Sequence, residues 1–277
     1  MDGKQKAVWC ANKFGEYMVA MLESRTVSGW PDGYFSCFPE RYIKKEKKKA
    51  RDRSFWHITV GLPEKNKALQ EKRLRRAAIS LRDEGVKTVV TWGDFPFPGL
   101  FHDFGIAAVS PNYACFACAA KIAGAVLRQR EVPFEEATGV IYAEKASKDV
   151  SDLAVALTKL TRYVRLDCRA EDMRLLRKLS YEYGISPLRK TVSPHEILIC
   201  FSNPDKRYLD ASKADTIINL CGDKLQKEGS FIFTGAEFAV PPDISADEPL
   251  LADAQLLTLL FMTGALRPDE IEVAGVI

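Results

Sequence analysis

Histidine and acidic side chains are the groups in this sequence best suited to acid-base chemistry. His102 is followed directly by Asp103 and comes a few residues after Asp94. A carboxylate near an imidazole can orient the ring for proton transfer. If the protein is an enzyme, we predict His102, Asp94 and Asp103 as its catalytic residues, with helix capping as the alternative role of Asp103.

The other two histidines have surroundings that indicate structural roles. His57 falls in a β-prone run, residues 54–60, which predicts a packed strand residue. His195 follows Pro194 just before another β-prone run, which predicts a surface loop residue. No G-x-S-x-G nucleophile motif lies near a histidine, so the sequence does not support serine-type catalysis.

Residues 138–167 have the order of a dinucleotide-binding unit, which is a strand, a helix and a second strand that ends in an acid. The glycines that would let a backbone approach a pyrophosphate are replaced by the run from Ala143 to Lys148, Ala-Glu-Lys-Ala-Ser-Lys. If a nucleotide binds, we expect Lys145 and Ser147 near its phosphates and Asp167 on a ribose hydroxyl. A βαβ unit without a cofactor is the favoured interpretation, and the sequence identifies no particular cofactor.

Cys115 and Cys118 form a C-x-x-C motif near the predicted start of a helix. The helix dipole would lower the pKa of the first thiol there and favour redox chemistry. A structural zinc site needs more ligands, and the sequence has no second C-x-x-C and no paired histidines. Because the surrounding residues are apolar and rich in alanine, we expect buried packing thiols and no metal site.

The segment from Lys44 to Arg53 carries seven basic residues with Glu46 and Asp52 among them. Together with nearby arginines and aromatic residues, it could bind a nucleic acid through charge and stacking. These neighbours are Arg73, Arg75, Arg76, Tyr42, Phe55 and Trp56. A solvated, charged bridge between two elements explains the same pattern, so nucleic-acid binding is the second alternative.

Strands and helices alternate along most of the chain. Helical spacing of apolar residues predicts helices at 14–23, 67–84, 113–130, 148–160, 170–183 and 250–263. Strands are predicted at 54–60, 86–92, 106–109, 139–143, 163–166, 197–201, 216–220 and 230–234, with a return strand at 236–240. This alternation implies βαβ units. The predicted fold class is α/β and Rossmann-like, with a largely parallel sheet flanked by helices in two linked halves.

Three regions are predicted along the chain. They are an irregular basic section at 1–53 packed on the first domain, an N-terminal α/β half at 54–135 and a C-terminal Rossmann-like half at 136–277. Residues 1–87 carry 20 Lys or Arg against 11 Asp or Glu, whereas residues 228–277 carry one base and nine acids. Opposite charges at the two ends predict internal pairing, self-association or attraction of an anionic partner to the basic end.

A polar start and the lack of any apolar run of about 20 residues predict a cytoplasmic protein without a membrane span. The favoured function is a binding or interaction scaffold with a degenerate Rossmann-like unit. The first alternative is an enzyme that handles a nucleotide or another small molecule. Its site would lie on the strand-end loops around Asp94, His102 and Asp167, with Asn112 and Asn203 as further candidates.

Overall fold

The computed structural model describes residues 19–26, 42–50, 53–93, 95–97, 99–170, 173–185, 195–222, 225–239 and 254–277. The chain divides into two compact units. Unit 1 comprises Met1–Val90 and Pro96–Ala108, and unit 2 comprises Thr91–Phe95 and Val109–Ile277. The boundaries expected after residues 53 and 135 remain predictions.

Unit 1 contains a mixed sheet and one long helix. The elements are β1 (Val19–Thr26), β2 (Ile43–Ala50), β3 (Arg53–Leu62), α1 (Lys67–Asp83), β4 (Thr88–Val90) and β5 (Ala107–Val109). The strand order is β2-β3-β1-β4-β5, with β1 parallel to β3 and β4 and with β2 antiparallel to β3. Asn66 caps α1 by accepting a hydrogen bond from the Leu69 amide, and the helix buries an apolar face that includes Leu74 and Leu81.

Two expectations about the basic section were wrong. Residues 19–23 belong to strand β1 and not to a helix, and the part of that predicted helix before Val19 lies outside the described residues. The lysine-rich run forms strand β2 and is not a bridge. Two of its lysine side chains lie over the ring of Trp56 on the neighbouring strand β3. The ammonium groups of Lys45 and Lys47 each lie 5.0 Å from the centre of the Trp56 ring. Charged side chains on an edge strand also discourage pairing with other chains.

Unit 2 contains a parallel five-stranded sheet. Its elements are α2 (Tyr113–Ala117), α3 (Ala119–Gln129), β6 (Ala137–Lys145), α4 (Lys148–Leu157), β7 (Tyr163–Ala170), α5 (Met173–Tyr183), β8 (His195–Cys200), α6 (Lys206–Ala211), β9 (Thr216–Asn219), β10 (Phe231–Phe233), β11 (Ala236–Ala239), α7 (Ala254–Thr263) and β12 (Glu272–Val276). The sheet has the order β10-β9-β8-β6-β7, and each neighbouring pair is parallel. This doubly wound arrangement, with helices beside parallel strands, confirms the predicted fold class.

Three local expectations in unit 2 were wrong. The helix expected over 113–130 is interrupted at Cys118, whose φ of −99° and ψ of 9° are not helical. Strand β11 pairs with β12 at the end of the chain and not with β10. His195 begins strand β8 and is not a loop residue. Sequence periodicity indicates an element but not its partner, which accounts for the missed pairing.

Strand β6 lies between β8 and β7 in the sheet of unit 2 and is buried along most of its length. A Cβ atom at Gly139 would lie 3.1 Å from Cδ1 of Leu157 at the end of α4. Glycine at this position therefore lets the helix approach the sheet closely. Among the described residues, no helix has both the length and the apolar character that crossing a membrane requires.

Candidate functional site

Two of the three predicted catalytic residues, His102 and Asp103, lie on an exposed surface of unit 1. His102 and Asp103 belong to a 3-10 helix, His102–Phe104, and both are exposed. Oδ2 of Asp103 lies 3.4 Å from Nη1 of Arg75. Asp94 lies outside the described residues. The catalytic role of these three residues remains a prediction.

The predicted cofactor-binding loop follows β6. Lys145 is exposed at the end of the strand, and Oγ of Ser147 accepts a hydrogen bond of 3.2 Å from the Val150 amide at the start of α4. Glu144 is exposed nearby in sequence, and Asp149 occupies the first turn of the helix. Burial and the nearby Asp152 raise the pKa of Asp149. Carboxyl groups around this helix N-terminus oppose the binding of a pyrophosphate.

Asp167, the predicted ribose ligand, belongs to a network on one face of the sheet. The Tyr208 hydroxyl donates a hydrogen bond to Oδ2 of Asp167, which lies 3.3 Å from Nη2 of Arg165. Nη1 of Arg165 lies 3.4 Å from Oε2 of Glu196. Burial acts to lower the pKa of Arg165, but Asp167, Glu196 and Tyr208 act together in the opposite direction, and its pKa is raised. Asp167 thus already has two partners, and its role toward a cofactor remains a prediction.

Several strand-end loops of unit 2 meet at the carboxyl ends of β8 and β9. The Asn112 side chain donates a hydrogen bond to the carbonyl of Cys221. The Phe116 ring on α2 stacks on Phe201, with 5.1 Å between ring centres. Oγ of Ser202 is buried and has no hydrogen-bond partner among the described residues. The short helix α2 therefore packs against this sheet edge, where Rossmann-like proteins bind dinucleotides.

The residue after Cys221 at this sheet edge, Gly222, has to be a glycine. Gly222 has a φ of +81°, and a Cβ atom there would lie 2.8 Å from Nδ2 of Asn112. Any larger residue would strain the backbone and displace the amide. The contact between α2 and the end of β9 thus depends on Gly222 as well as on Asn112.

A large opening in unit 2 lies beside α6. Parallel strands are normally joined by a crossover helix that covers the sheet. The connection from β9 to β10 forms no helix in its described part, which omits only residues 223 and 224. A cavity of about 910 Å³, here called the α6 cavity, lies between α6 and this connection.

Polar side chains surround an apolar floor in the α6 cavity. The apolar lining residues are Pro204, Leu209, Leu225 and Ile232. The polar and charged lining residues are Asn203, Lys206, Asp210, Gln226, Lys227 and Glu228. Asn203 is the one member of this set that the strand-end argument had identified.

Lys227 anchors one wall of the α6 cavity. Its ammonium group donates hydrogen bonds to the carbonyl and hydroxyl of Ser212, both at 2.8 Å, and to the carbonyl of Ala214 at 3.0 Å. Burial lowers the pKa of Lys227, although Glu196, Asp210 and Asp215 act in the opposite direction. Lys227 therefore fixes the connection from β9 to β10 against the end of α6.

The two cysteines of the C-x-x-C motif have the properties of packing groups. Burial raises the pKa of the Cys115 thiol to about 11 and that of Cys118 to about 12. Because both pKa values lie well above 7, neither thiol forms a reactive thiolate at neutral pH. Within the described ranges, no three His, Cys, Asp or Glu side chains are arranged to hold a metal ion.

Two histidines are paired with carboxylates. His57 is a buried residue of β3, as expected, and its Nε2 lies 2.9 Å from Oε2 of Glu23 without the angles of a hydrogen bond. Nδ1 of His195 lies 2.7 Å from Oδ2 of Asp215, and its Nε2 lies 3.9 Å from Glu136. Both histidines connect neighbouring elements of their own unit.

The aromatic residues near the basic strand cannot stack on nucleic-acid bases. Tyr42, Phe55 and Trp56 are at most 8% exposed. The buried aromatic residues therefore do not support the nucleic-acid hypothesis, whereas the positive charge of β2 is still consistent with it. Self-association through the two ends also remains a prediction, and residues 1–18 and 240–253 lie outside the described ranges.

No protein-family model and no curated protein matches the sequence. Among solved structures, a shikimate 5-dehydrogenase-like protein matches 92% of each chain at 10% identity and a TM-score of 0.35. L-tryptophan dehydrogenase from Nostoc punctiforme matches 72% of this chain and 62% of its own at 10% identity and a TM-score of 0.31. A chorismate mutase/shikimate 5-dehydrogenase fusion protein from Clostridium acetobutylicum covers 78% of this chain and 84% of its own, with 10% identity and a TM-score of 0.28.

Proposed function

We propose that this chain is a binding protein with a degenerate Rossmann-like unit, and that the α6 cavity holds its small-molecule ligand. The observation that carries the proposal is a cavity of about 910 Å³ in which polar side chains surround an apolar floor. Binding pockets for small molecules are of this size and combine apolar walls with a few polar groups.

The lining indicates the chemistry of the ligand. Lys206 supplies a cation, Asp210 and Glu228 supply anions, and the carboxamides of Asn203 and Gln226 can each donate and accept hydrogen bonds. Because the Lys227 ammonium is engaged by backbone and hydroxyl oxygens, the free charges do not favour an anion. An uncharged or zwitterionic molecule, such as a nucleoside or an amino acid, suits this lining better than a phosphate ester does.

An enzyme that handles a nucleotide or another small molecule on the strand-end loops is the weaker alternative. Ser147 caps α4, Asp167 is engaged by Arg165 and Tyr208, and two carboxyl groups lie around the loop that would hold a pyrophosphate. The start of α2 also packs against the carboxyl edge of the sheet. These contacts weigh against the binding of a dinucleotide at this edge of the sheet.

Thermal unfolding with added ligands tests the proposal. The panel contains amino acids, nucleosides, nucleoside phosphates and dinucleotides. A binding nucleoside or amino acid at a hundredfold excess over its Kd should add about 2.7 kcal/mol to the free energy of unfolding. The substitution Ile232→Trp, which fills the cavity, and Gln226→Ala should remove this gain, whereas Gln129→Ala on the exposed surface of α3 should keep it.

Two results would contradict the proposal. One is stabilisation by dinucleotides that Ile232→Trp leaves intact, which would favour the enzyme alternative. The other is a panel in which neither nucleosides nor amino acids change the unfolding temperature.

A further inference from the structure

A second cavity in unit 2 lies among α3, the end of α4 and β12. Its volume is about 540 Å³, and its lining is mostly apolar. The apolar lining residues are Ala120, Gly124, Ala156, Leu160, Ile271 and Val273. It shares no lining residue with the α6 cavity, and we call it the α3 groove.

Basic side chains surround the α3 groove. Lys121, Arg128 and Lys159 line it together with one acid, Glu272. Lys121 donates to the carbonyls of Asp269, at 2.9 Å, and Ile271, so its ammonium holds the chain before β12 against α3. The other two cations therefore account for the net positive charge that remains open to a ligand.

Arg128 and Lys159 are exposed, and their side chains have no hydrogen-bond or ion-pair partner among the described residues. A Cβ atom at Gly124 would lie 3.7 Å from Nη1 of Arg128 and 3.8 Å from both terminal methyl groups of Leu160. The guanidinium thus lies over the small residue in the floor, beside an apolar side chain. The groove therefore combines a cationic rim with a space that admits apolar atoms.

We propose that the α3 groove binds an aliphatic monocarboxylate. The carboxylate would pair with Arg128 and Lys159, since a guanidinium can hold both oxygens of a carboxylate. The alkyl chain would lie on the floor formed by Ala120, Gly124 and Ala156. Charge complementarity selects an anionic head, and the volume suits a chain of medium length.

Calorimetric titration with decanoate, below its micelle concentration, tests the proposal. Decanoate should bind saturably at one site. Acetate, which lacks the tail, and decyltrimethylammonium, which reverses the charge, should both bind at least about tenfold more weakly, because each loses one of the two interactions.

Variants locate the binding. Gly124→Leu, which fills the floor, should abolish decanoate binding, and the double substitution Arg128→Gln with Lys159→Gln should weaken it by about tenfold or more. The double variant changes only exposed side chains, so it still tests the proposal if Gly124→Leu does not fold. Arg177→Gln with Lys178→Gln, an exposed pair on α5, is the matched control and should bind like the unsubstituted protein.

Absence of decanoate binding, equal binding of decyltrimethylammonium, or unchanged binding by the Arg128 and Lys159 double variant would each overturn the proposal. Binding confined to vesicles that contain phosphatidylglycerol, with none to free decanoate, would overturn it in favour of a membrane surface. Because the α6 cavity shares no residue with the groove, Ile232→Trp should leave decanoate binding unchanged. This control separates the outcome from that of the proposed function.

Discussion

The Tyr208 hydroxyl donates a hydrogen bond to Oδ2 of Asp167 and so connects helix α6 to β7, a strand at the edge of the sheet. The Tyr208 ring also packs on Tyr142 of the neighbouring strand β6, with 4.5 Å between ring centres. Burial raises the pKa of Tyr208, and the hydrogen bond to Asp167 raises it further. The phenol is therefore a neutral donor throughout the physiological pH range, and it holds the carboxylate in place next to Arg165.

Replacing this hydroxyl should destabilise the protein. Tyr208→Phe keeps the ring packing but leaves the partly buried Asp167 without one of its two partners. We expect a loss of about 1–3 kcal/mol in the free energy of unfolding, measured by urea titration. The matched substitution Tyr181→Phe concerns a residue that is 93% exposed, and it should cost less than about 0.5 kcal/mol. Equal effects of the two substitutions would show that the hydrogen bond contributes nothing to stability.

The sequence was sufficient to predict the fold class because helix and strand periodicities are local signals. The alternating elements from β6 to β8, and strand β9, were expected close to where they lie, but helix α6 between β8 and β9 was not predicted. Strand pairing could not be predicted from these local signals, because it depends on residues far apart in the chain. The partner of β11 is β12, more than 30 residues later, and nothing in the pattern of either strand indicates the other.

The candidate sites also depend on contacts between residues that are far apart in the sequence. Asp167 could be recognised as a strand-end acid, but its partner Tyr208 comes 41 residues later on a different helix. The α6 cavity exists because the connection from β9 to β10 forms no helix in its described part. The glycine residues Gly222 and Gly229 in this connection were a signal that no crossover helix would form there.

The close approach of α4 to β6 should depend on the size of residue 139. A Cβ atom at Gly139 would lie 3.1 Å from Leu157 and 3.3 Å from Oγ1 of Thr161, so Gly139→Val would overpack this contact. We expect a cost of about 1–3 kcal/mol in unfolding free energy. Gly235→Ala, at a position with no heavy atom within 4 Å of the added Cβ, is the control and should change stability much less. If Gly139→Val were as stable as this control, the helix would be free to move away from the sheet.

Arg73 should resist replacement by lysine. Its side chain is 2% exposed, Nη1 donates to the carbonyl of Gly61 at 2.7 Å, and the guanidinium lies 4.9 Å from the centre of the Tyr42 ring. The ammonium of lysine cannot both stack on the ring and reach the carbonyl with the same geometry. Arg73→Lys should therefore cost about 1–3 kcal/mol by urea unfolding. Arg75→Lys, on the exposed side of the same helix, should be nearly neutral, and a similar loss in both variants would indicate a general effect on α1.

Buried thiols should make the protein sensitive to alkali. Burial raises the pKa of Cys118 and of Cys200 from 9.0 to about 12. Above pH 9 the thiols of the unfolded chain ionise while those of the folded protein keep their protons, so the free energy of unfolding falls as the pH rises from about 9 toward 12. Each such thiol contributes a loss of about 1.4 kcal/mol per pH unit well inside this window.

Cys200→Ala isolates one of these contributions. At neutral pH the variant should be less stable than the unsubstituted protein, because it loses a fully buried group on β8. This deficit should shrink by about 1 kcal/mol between pH 9 and pH 10, since the alanine side chain has no proton to lose in the unfolded state. Ile199→Val removes a methylene from the neighbouring position without removing a titratable group, so its deficit should stay constant over the same range. Parallel urea titrations at pH 8, 9 and 10 measure both differences, and a constant deficit for Cys200→Ala would mean that the folded protein lets this thiol ionise as readily as the unfolded chain does.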